Sequence, residues 1–249
     1  MVVRPVLFML GPLPVYGFGV MVLVALSVGA TTLLVAAHRT RTSLVMAGLL
    51  CALLPGALYA GARAGWWLSN FDKVGVLPWS EGGLALTPGL VACFVVAAVV
   101  GVAFEKQVAQ ALDVTVIGAS SAVSVGRIGC FLAGCCFGKP TTLPWGVAFP
   151  PGGRVPESLH EVPLHPTQLY LVAGFGAVAM ALMWLAPRRR FPGQLFLLGA
   201  AAFALVSIGD RFVRFDLEPT VLTLSAWAGV FGVAIASFAS AQRRAAAKA

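Results

Sequence analysis

Charge is what this sequence lacks. Only 10% of its 249 residues are charged, where a soluble domain carries about 25%. There are nine acidic residues and three histidines. Such a chain cannot coat a soluble fold with polar side chains, and no polar stretch is long enough for a separate soluble domain. Small-residue cleavage signals are missing between Met1–Leu10 and the next apolar run, so that stretch reads as mature chain. The five cysteines show no paired C-x2-C zinc pattern.

What the chain does have is long apolar runs, with 59% hydrophobic residues overall. A span needs about 20 apolar residues. The runs predict an all-α, polytopic membrane helix bundle of about seven transmembrane helices, forming one integral membrane domain over 1–249. The expected spans are 14–37, 43–68, 82–104, 114–131, 167–186, 193–213 and 221–240, with a kink at Pro88 in the third. The segment 137–166 is a Pro-rich loop, with Pro140, Pro144, Pro150, Pro151, Pro156, Pro163 and Pro166.

The net charge of +8 comes from short basic clusters between apolar runs. That is the pattern of topology determinants, not of nucleic-acid binding. With seven spans, Arg39 and Arg41, Lys106, Arg188–Arg190 and the basic tail share one side. The positive-inside rule makes that side cytoplasmic. The N-terminus is then outside, the C-terminus is cytoplasmic, and the Pro-rich loop is periplasmic.

One stretch breaks the apolar pattern. Residues 126–141 hold Arg127, four glycines (Gly126, Gly129, Gly134, Gly138) and three cysteines (Cys130, Cys135, Cys136). A charge at the centre of a membrane helix costs about 2.5–3.5 kcal/mol on insertion scales, so it calls for compensation. On the expected topology Arg127 sits in the outer half of its span, and Arg211 and Arg214 end the sixth span near it. Arginine grips phosphate with a planar fork and keeps its charge. The cluster therefore suits an anionic phospholipid. A purely structural role would pair Arg127 with Asp113 or Asp210. Arg63, near Trp66, is the other deep arginine, open to a lipid or to Asp72 or Glu81. The glycines suit close helix packing or a helix that breaks into a re-entrant loop. His165 is a candidate base or orienting donor, and Gln168 and Tyr170 follow it near the outer surface. Cys51 and Cys93 read as core residues. For Cys130, Cys135 and Cys136 a disulfide or a nucleophilic role stays open.

These motifs together resemble the prolipoprotein diacylglyceryl transferase family along almost the whole chain. Leu10-Gly11-Pro12-Leu13-Pro14-Val15-Tyr16-Gly17 is similar to its opening. Gly61-Ala62-Arg63, the Trp79–Gly83 segment and Gly126-Arg127-Ile128-Gly129 with Phe131 and Gly134 follow. Lys139-Pro140-Thr141, Pro144-Trp145-Gly146, His165-Pro166-Thr167-Gln168-Leu169-Tyr170 and Arg211-Phe212 continue in order. The chain departs from the family at defined places. Cys130, Ala133 and Cys135 stand at its two Asn positions and its Glu, and Thr87 stands at its histidine. Leu171 replaces the Glu after Gln-Leu-Tyr, and the Glu-Phe-x-Arg segment is shortened to Val213-Arg214-Phe215-Asp216.

The resemblance implies a multi-pass transferase of the bacterial inner (plasma) membrane in lipoprotein biosynthesis. Phosphatidylglycerol is the implied donor, with its phosphate against Arg127 and Arg211. The implied acceptor is the lipobox cysteine of a prolipoprotein signal peptide. Arg127, Arg211 and His165 are the expected catalytic residues. Arg63, Gly126, Gly129, Gly134, Gln168, Tyr170 and Arg214 are expected to bind substrate, while Thr87, Cys130, Cys135 and Cys136 have unassigned roles. No metal or other cofactor is implied. The departures leave two alternatives: a lipid transferase with another acceptor, and a non-catalytic phospholipid-binding protein on the same scaffold.

Overall fold

The computed structural model describes residues 6–70, 83–105, 107–149, 151 and 154–215. Among these, six helices are long and apolar enough to cross a membrane. They are α1 (Gly17–Arg39), α2 (Leu44–Ser69), α3 (Leu86–Ala103), α4 (Val108–Ala133), α5 (Thr167–Leu185) and α6 (Gln194–Val213). The chain is an all-helical polytopic membrane protein. The span expected at 221–240 lies outside the described residues, as do Asp72, Glu81 and most of the Trp79–Gly83 segment.

α4 is the central helix. It packs against α1, α3, α5 and α6. Half of its apolar window is buried, against a third or less for every other helix. Small residues make this possible. A Cβ on Gly29 of α1 would meet Ala122 of α4 at 2.9 Å, and one on Gly118 would meet the Gly29 carbonyl at 2.9 Å. The two backbones therefore touch, as small-residue crossings in membranes allow. Outward-facing Leu23, Val45, Val99, Met180 and Trp184 stay exposed, as a lipid-facing surface requires.

Several expectations need correction. Before α1, Val6–Leu10 (β1) and Leu13–Tyr16 (β2) pair as an antiparallel hairpin. α1 therefore starts at Gly17 instead of at residue 14. Pro88 lies in the first turn of α3, where its missing N–H is harmless, so it does not kink the helix. The glycines of 126–134 do not break α4 into a re-entrant loop, because the helix runs unbroken to Ala133.

α4 also begins six residues before the expected 114, which puts Asp113 inside it. Asp113 is fully buried. Its Oδ2 accepts from Arg189 Nη1 and from the Gly193 N–H, both at 2.8 Å, and its Oδ1 accepts from the Phe196 N–H at 2.8 Å. The carboxylate caps the start of α6 from another helix, where orphan N–H groups and the helix dipole favour an anion. Arg189 also donates to the Thr40 carbonyl at 2.9 Å. One ion pair thus ties together the end of α1, the start of α4 and the α5–α6 turn. Arg189, read from the sequence as a topology determinant, is also a structural partner, and Asp113 is not the partner of Arg127.

Breaking this network leaves a buried charge. Asp113→Ala is expected to destabilise the fold by roughly 3–5 kcal/mol. A large drop in the thermal midpoint of detergent-solubilised protein, partly recovered in Asp113→Leu/Arg189→Met, checks this.

Candidate functional site

At the opposite end of the bundle, α4 closes in a Schellman turn. Gly134 takes φ 64°, and its N–H bonds the Phe131 carbonyl at 3.1 Å. The Cys135 N–H bonds the Cys130 carbonyl, also at 3.1 Å. This motif brings together the side chains at its two outer positions, here Cys130 and Cys135. Cys136 follows with φ 62°. The start of α5 holds this turn by its carbonyls. Thr167 Oγ1 donates to Cys136 O at 2.6 Å, and Gln168 Nε2 donates to Cys135 O at 2.8 Å. All three thiols are free, and their sulfurs lie within 4.8 Å of one another.

The next residues clasp α5 to α6. The Gly138 N–H donates to His165 O at 2.9 Å, and the His165 N–H returns to Lys139 O at 3.0 Å. The Lys139 N–H donates to Val213 O at 2.8 Å, and the Phe215 N–H to Phe137 O at 3.2 Å. The clasp sets Arg214 beside Gly138.

A cavity of about 300 Å³ lies where these segments meet the start of α3. Arg127, Arg211, Arg214, Asp210, Thr87 and Cys136 are on its wall, with Ser207. Leu86, Leu171, Phe175 and Phe203 supply an apolar side, and the two phenyl rings pack at 4.5 Å. Arg214 Nη1 donates to Asp210 Oδ2 at 3.4 Å. Among the described residues, two buried atoms of this wall have no hydrogen-bond partner: Arg127 Nε and Asp210 Oδ1. An unpaired buried polar group costs about 1–3 kcal/mol, more when charged. Three guanidiniums facing one carboxylate can hold an anion, and the apolar wall can hold a chain attached to it.

The other residues singled out by the sequence fall around this cavity. Arg63 is buried. Its Nη1 donates to Gly83 O at 2.9 Å, and its guanidinium lies 5.3 Å from the Trp66 ring centre. It holds the segment that leads into the Leu84–Thr87 wall. Gly129 packs against Phe18 and Met21 of α1, and Gly126 faces Ala25. Gln168 is fully buried under the cysteine turn. His165 and Tyr170 do not line the cavity. Tyr170 Oη accepts from Trp145 Nε1 at 2.8 Å and lies 3.2 Å from His165 Nδ1.

Sequence reading names Asp210 only as a structural partner for Arg127 and Thr167 only as part of a motif, and it does not name Ser207. A signal is present for two of them: Ser207, Asp210, Arg211 and Arg214 recur at three- and four-residue spacing on one helix face. Thr167 acts through a tertiary contact that spacing does not reveal.

The fold and cavity define a polytopic membrane protein with a cationic site at the helix ends. The family model described as prolipoprotein diacylglyceryl transferase matches residues 5–241. The chain belongs to that family. It is similar to the phosphatidylglycerol–prolipoprotein diacylglyceryl transferase of Clostridium tetani, 29% identical over 231 residues, covering 89% of this chain and 90% of the relative. The relative of the same name from Bordetella avium is 30% identical over 237 residues, covering 86% and 82%. That from Coxiella burnetii is 30% identical over 190 residues, covering 73% and 70%. The protein is a transferase of the bacterial inner membrane.

The clasp leaves no room at Gly138. An added Cβ would stand 2.5 Å from His165 Cβ and 2.8 Å from Val213 O. Gly138→Ala is expected to cost about 1–3 kcal/mol, as overpacking does, and to loosen the cavity. A lowered thermal midpoint with weaker protection of the 137–139 amides in hydrogen exchange checks this.

Proposed function

We propose that the protein moves diacylglyceryl from phosphatidylglycerol to the cysteine thiol of a prolipoprotein. The observation that supports this most is the convergence of Arg127, Arg211 and Arg214 on one cavity with an apolar wall, in a member of this family. The phosphate lies against Arg127 and Arg211, and the acyl chains follow the side of Leu171, Phe175 and Phe203. The acceptor is the lipobox cysteine at the end of a signal peptide.

The sulfur attacks the glyceryl carbon and forms a thioether. The carbon–oxygen bond to the phosphate breaks, and its electron pair leaves with glycerol phosphate. Negative charge builds on the leaving phosphate oxygens. Guanidiniums fixed in a water-poor cavity stabilise that charge without reorganising. His165, steadied by Tyr170, is the imidazole offered to the acceptor proton.

Orientation follows from the charges. Arg39, Arg41 and Arg188–Arg190 lie at or just past helix ends at the pole opposite the cavity. By the positive-inside rule that pole is cytoplasmic, and the cavity opens toward the outer leaflet.

The test is purified protein with phosphatidylglycerol vesicles and a lipobox peptide, read as glycerol phosphate release. Arg127→Ala is expected to lower turnover by about 100-fold or more, the scale of losing one transition-state donor. Full turnover in that variant removes the phosphate role. His165→Gln is expected to lose more rate at low pH than at high pH, where the acceptor thiol ionises unaided. A pH-independent loss removes its role as base.

A further inference from the structure

We propose that Cys130, Cys135 and Cys136 form a three-thiolate zinc site whose fourth position takes the acceptor cysteine. The role of the fourth position rests on the transferase reading above. The site itself does not.

The linear spacing hides this site, and the helix end builds it. The Schellman turn sets Cys130 against Cys135, and Cys136, itself left-handed, places its sulfur beside theirs. The three sulfurs lie within 4.8 Å of one another and are partly buried. Zinc binds thiolate at about 2.3 Å in a tetrahedron, which sets sulfurs roughly 3.8 Å apart. Contracting the cluster by about 1 Å at most meets that geometry. Outer partners already fix the backbone: Thr167 and Gln168 hold the carbonyls of Cys136 and Cys135. Such contacts around a metal site orient its ligands.

The donor count carries the functional meaning. Closed structural sites use four protein ligands, while catalytic sites use three and leave one position open. Three is the number here. Cys136 stands on the cavity wall with Arg127 and Arg214, so the cluster adjoins the anion site. Zinc with three thiolates carries one net negative charge, and those guanidiniums offset it.

The chemistry fits the transfer reaction. The thiolate, not the thiol, is the nucleophile, and coordination to zinc deprotonates a thiol outright. With zinc in place the acceptor S–H is acidified, and its proton passes to His165, the base of the transferase reading above. The bound sulfur then attacks the glyceryl carbon, the C–O bond to phosphate breaks, and the electron pair leaves on glycerol phosphate. The product thioether is a neutral, weaker ligand and departs. Nothing is oxidised or reduced.

The test uses untagged full-length protein, purified with reductant in detergent. Zinc is expected at one equivalent per chain, and cobalt(II) in its place should give thiolate charge-transfer and tetrahedral visible bands. Cys136→Ser should weaken binding by more than the roughly 10- to 100-fold lost with an outer-shell partner. Lipobox peptide should shift the cobalt bands toward four sulfurs, and its Cys→Ser form should not. No metal uptake, or uptake unchanged in the triple Cys→Ser protein, overturns the site. Cobalt bands that ignore the peptide overturn its role in thiol activation. Glycerol phosphate release decides the transferase reading separately. If release fails while the cobalt bands remain, that reading falls and the metal site stands.

Discussion

A charged side chain inside a membrane bundle must be compensated, and this protein does so differently at its two poles. At one pole a single carboxylate, Asp113, accepts three hydrogen bonds, and its partner Arg189 spends a further donor on Thr40. That network is closed on itself. At the other pole three arginines and one carboxylate line the same cavity, Arg214 alone pairs with Asp210, and Arg127 Nε and Asp210 Oδ1 remain without partners among the described residues. The first arrangement fixes the helices. The second holds a positive cavity ready for an anion.

The site depends on how α4 ends. A helix that stops in a Schellman turn leaves its last carbonyls facing back and its next residues free to bond elsewhere. Here those residues join the start of α5 and the end of α6 through the His165–Gly138 and Lys139–Val213 bonds. Residues 127, 136, 165–168 and 210–214 lie on separate segments, and this clasp joins those segments. Gln168, placed by motif among substrate contacts, instead joins Thr167 in holding the backbone of the cysteine turn.

Much of this is legible in the sequence. Apolar runs long enough to cross a bilayer reveal the helices, and the cost of a buried guanidinium singles out Arg127. The boundaries are less legible. Asp113 looks like a loop residue because its carboxylate is satisfied by Arg189 and by α6, eighty residues away in the chain. The hairpin before α1 stays hidden because its strands, Val6–Leu10 and Leu13–Tyr16, are apolar and run straight into the first span. Linear spacing also misleads for the cysteines, since a helix end brings an i, i+5 pair together as surely as a C-x2-C loop does.

That last point bears on how the family chemistry persists in this chain. Cysteine at only one of the family's Asn and Glu positions would remove a polar partner and return nothing. Here cysteine stands at both of the positions whose side chains the Schellman turn presses together, Cys130 and Cys135, and a third thiol, Cys136, stands beside them. Arg127, Arg211 and Arg214 stand on the wall of the adjoining cavity. Electrostatic stabilisation of a leaving phosphate and activation of an attacking thiol are separable tasks, because they act on opposite sides of the carbon being transferred. The cavity can therefore keep its guanidiniums while the neighbouring turn carries thiols, with no change in the helices that hold them.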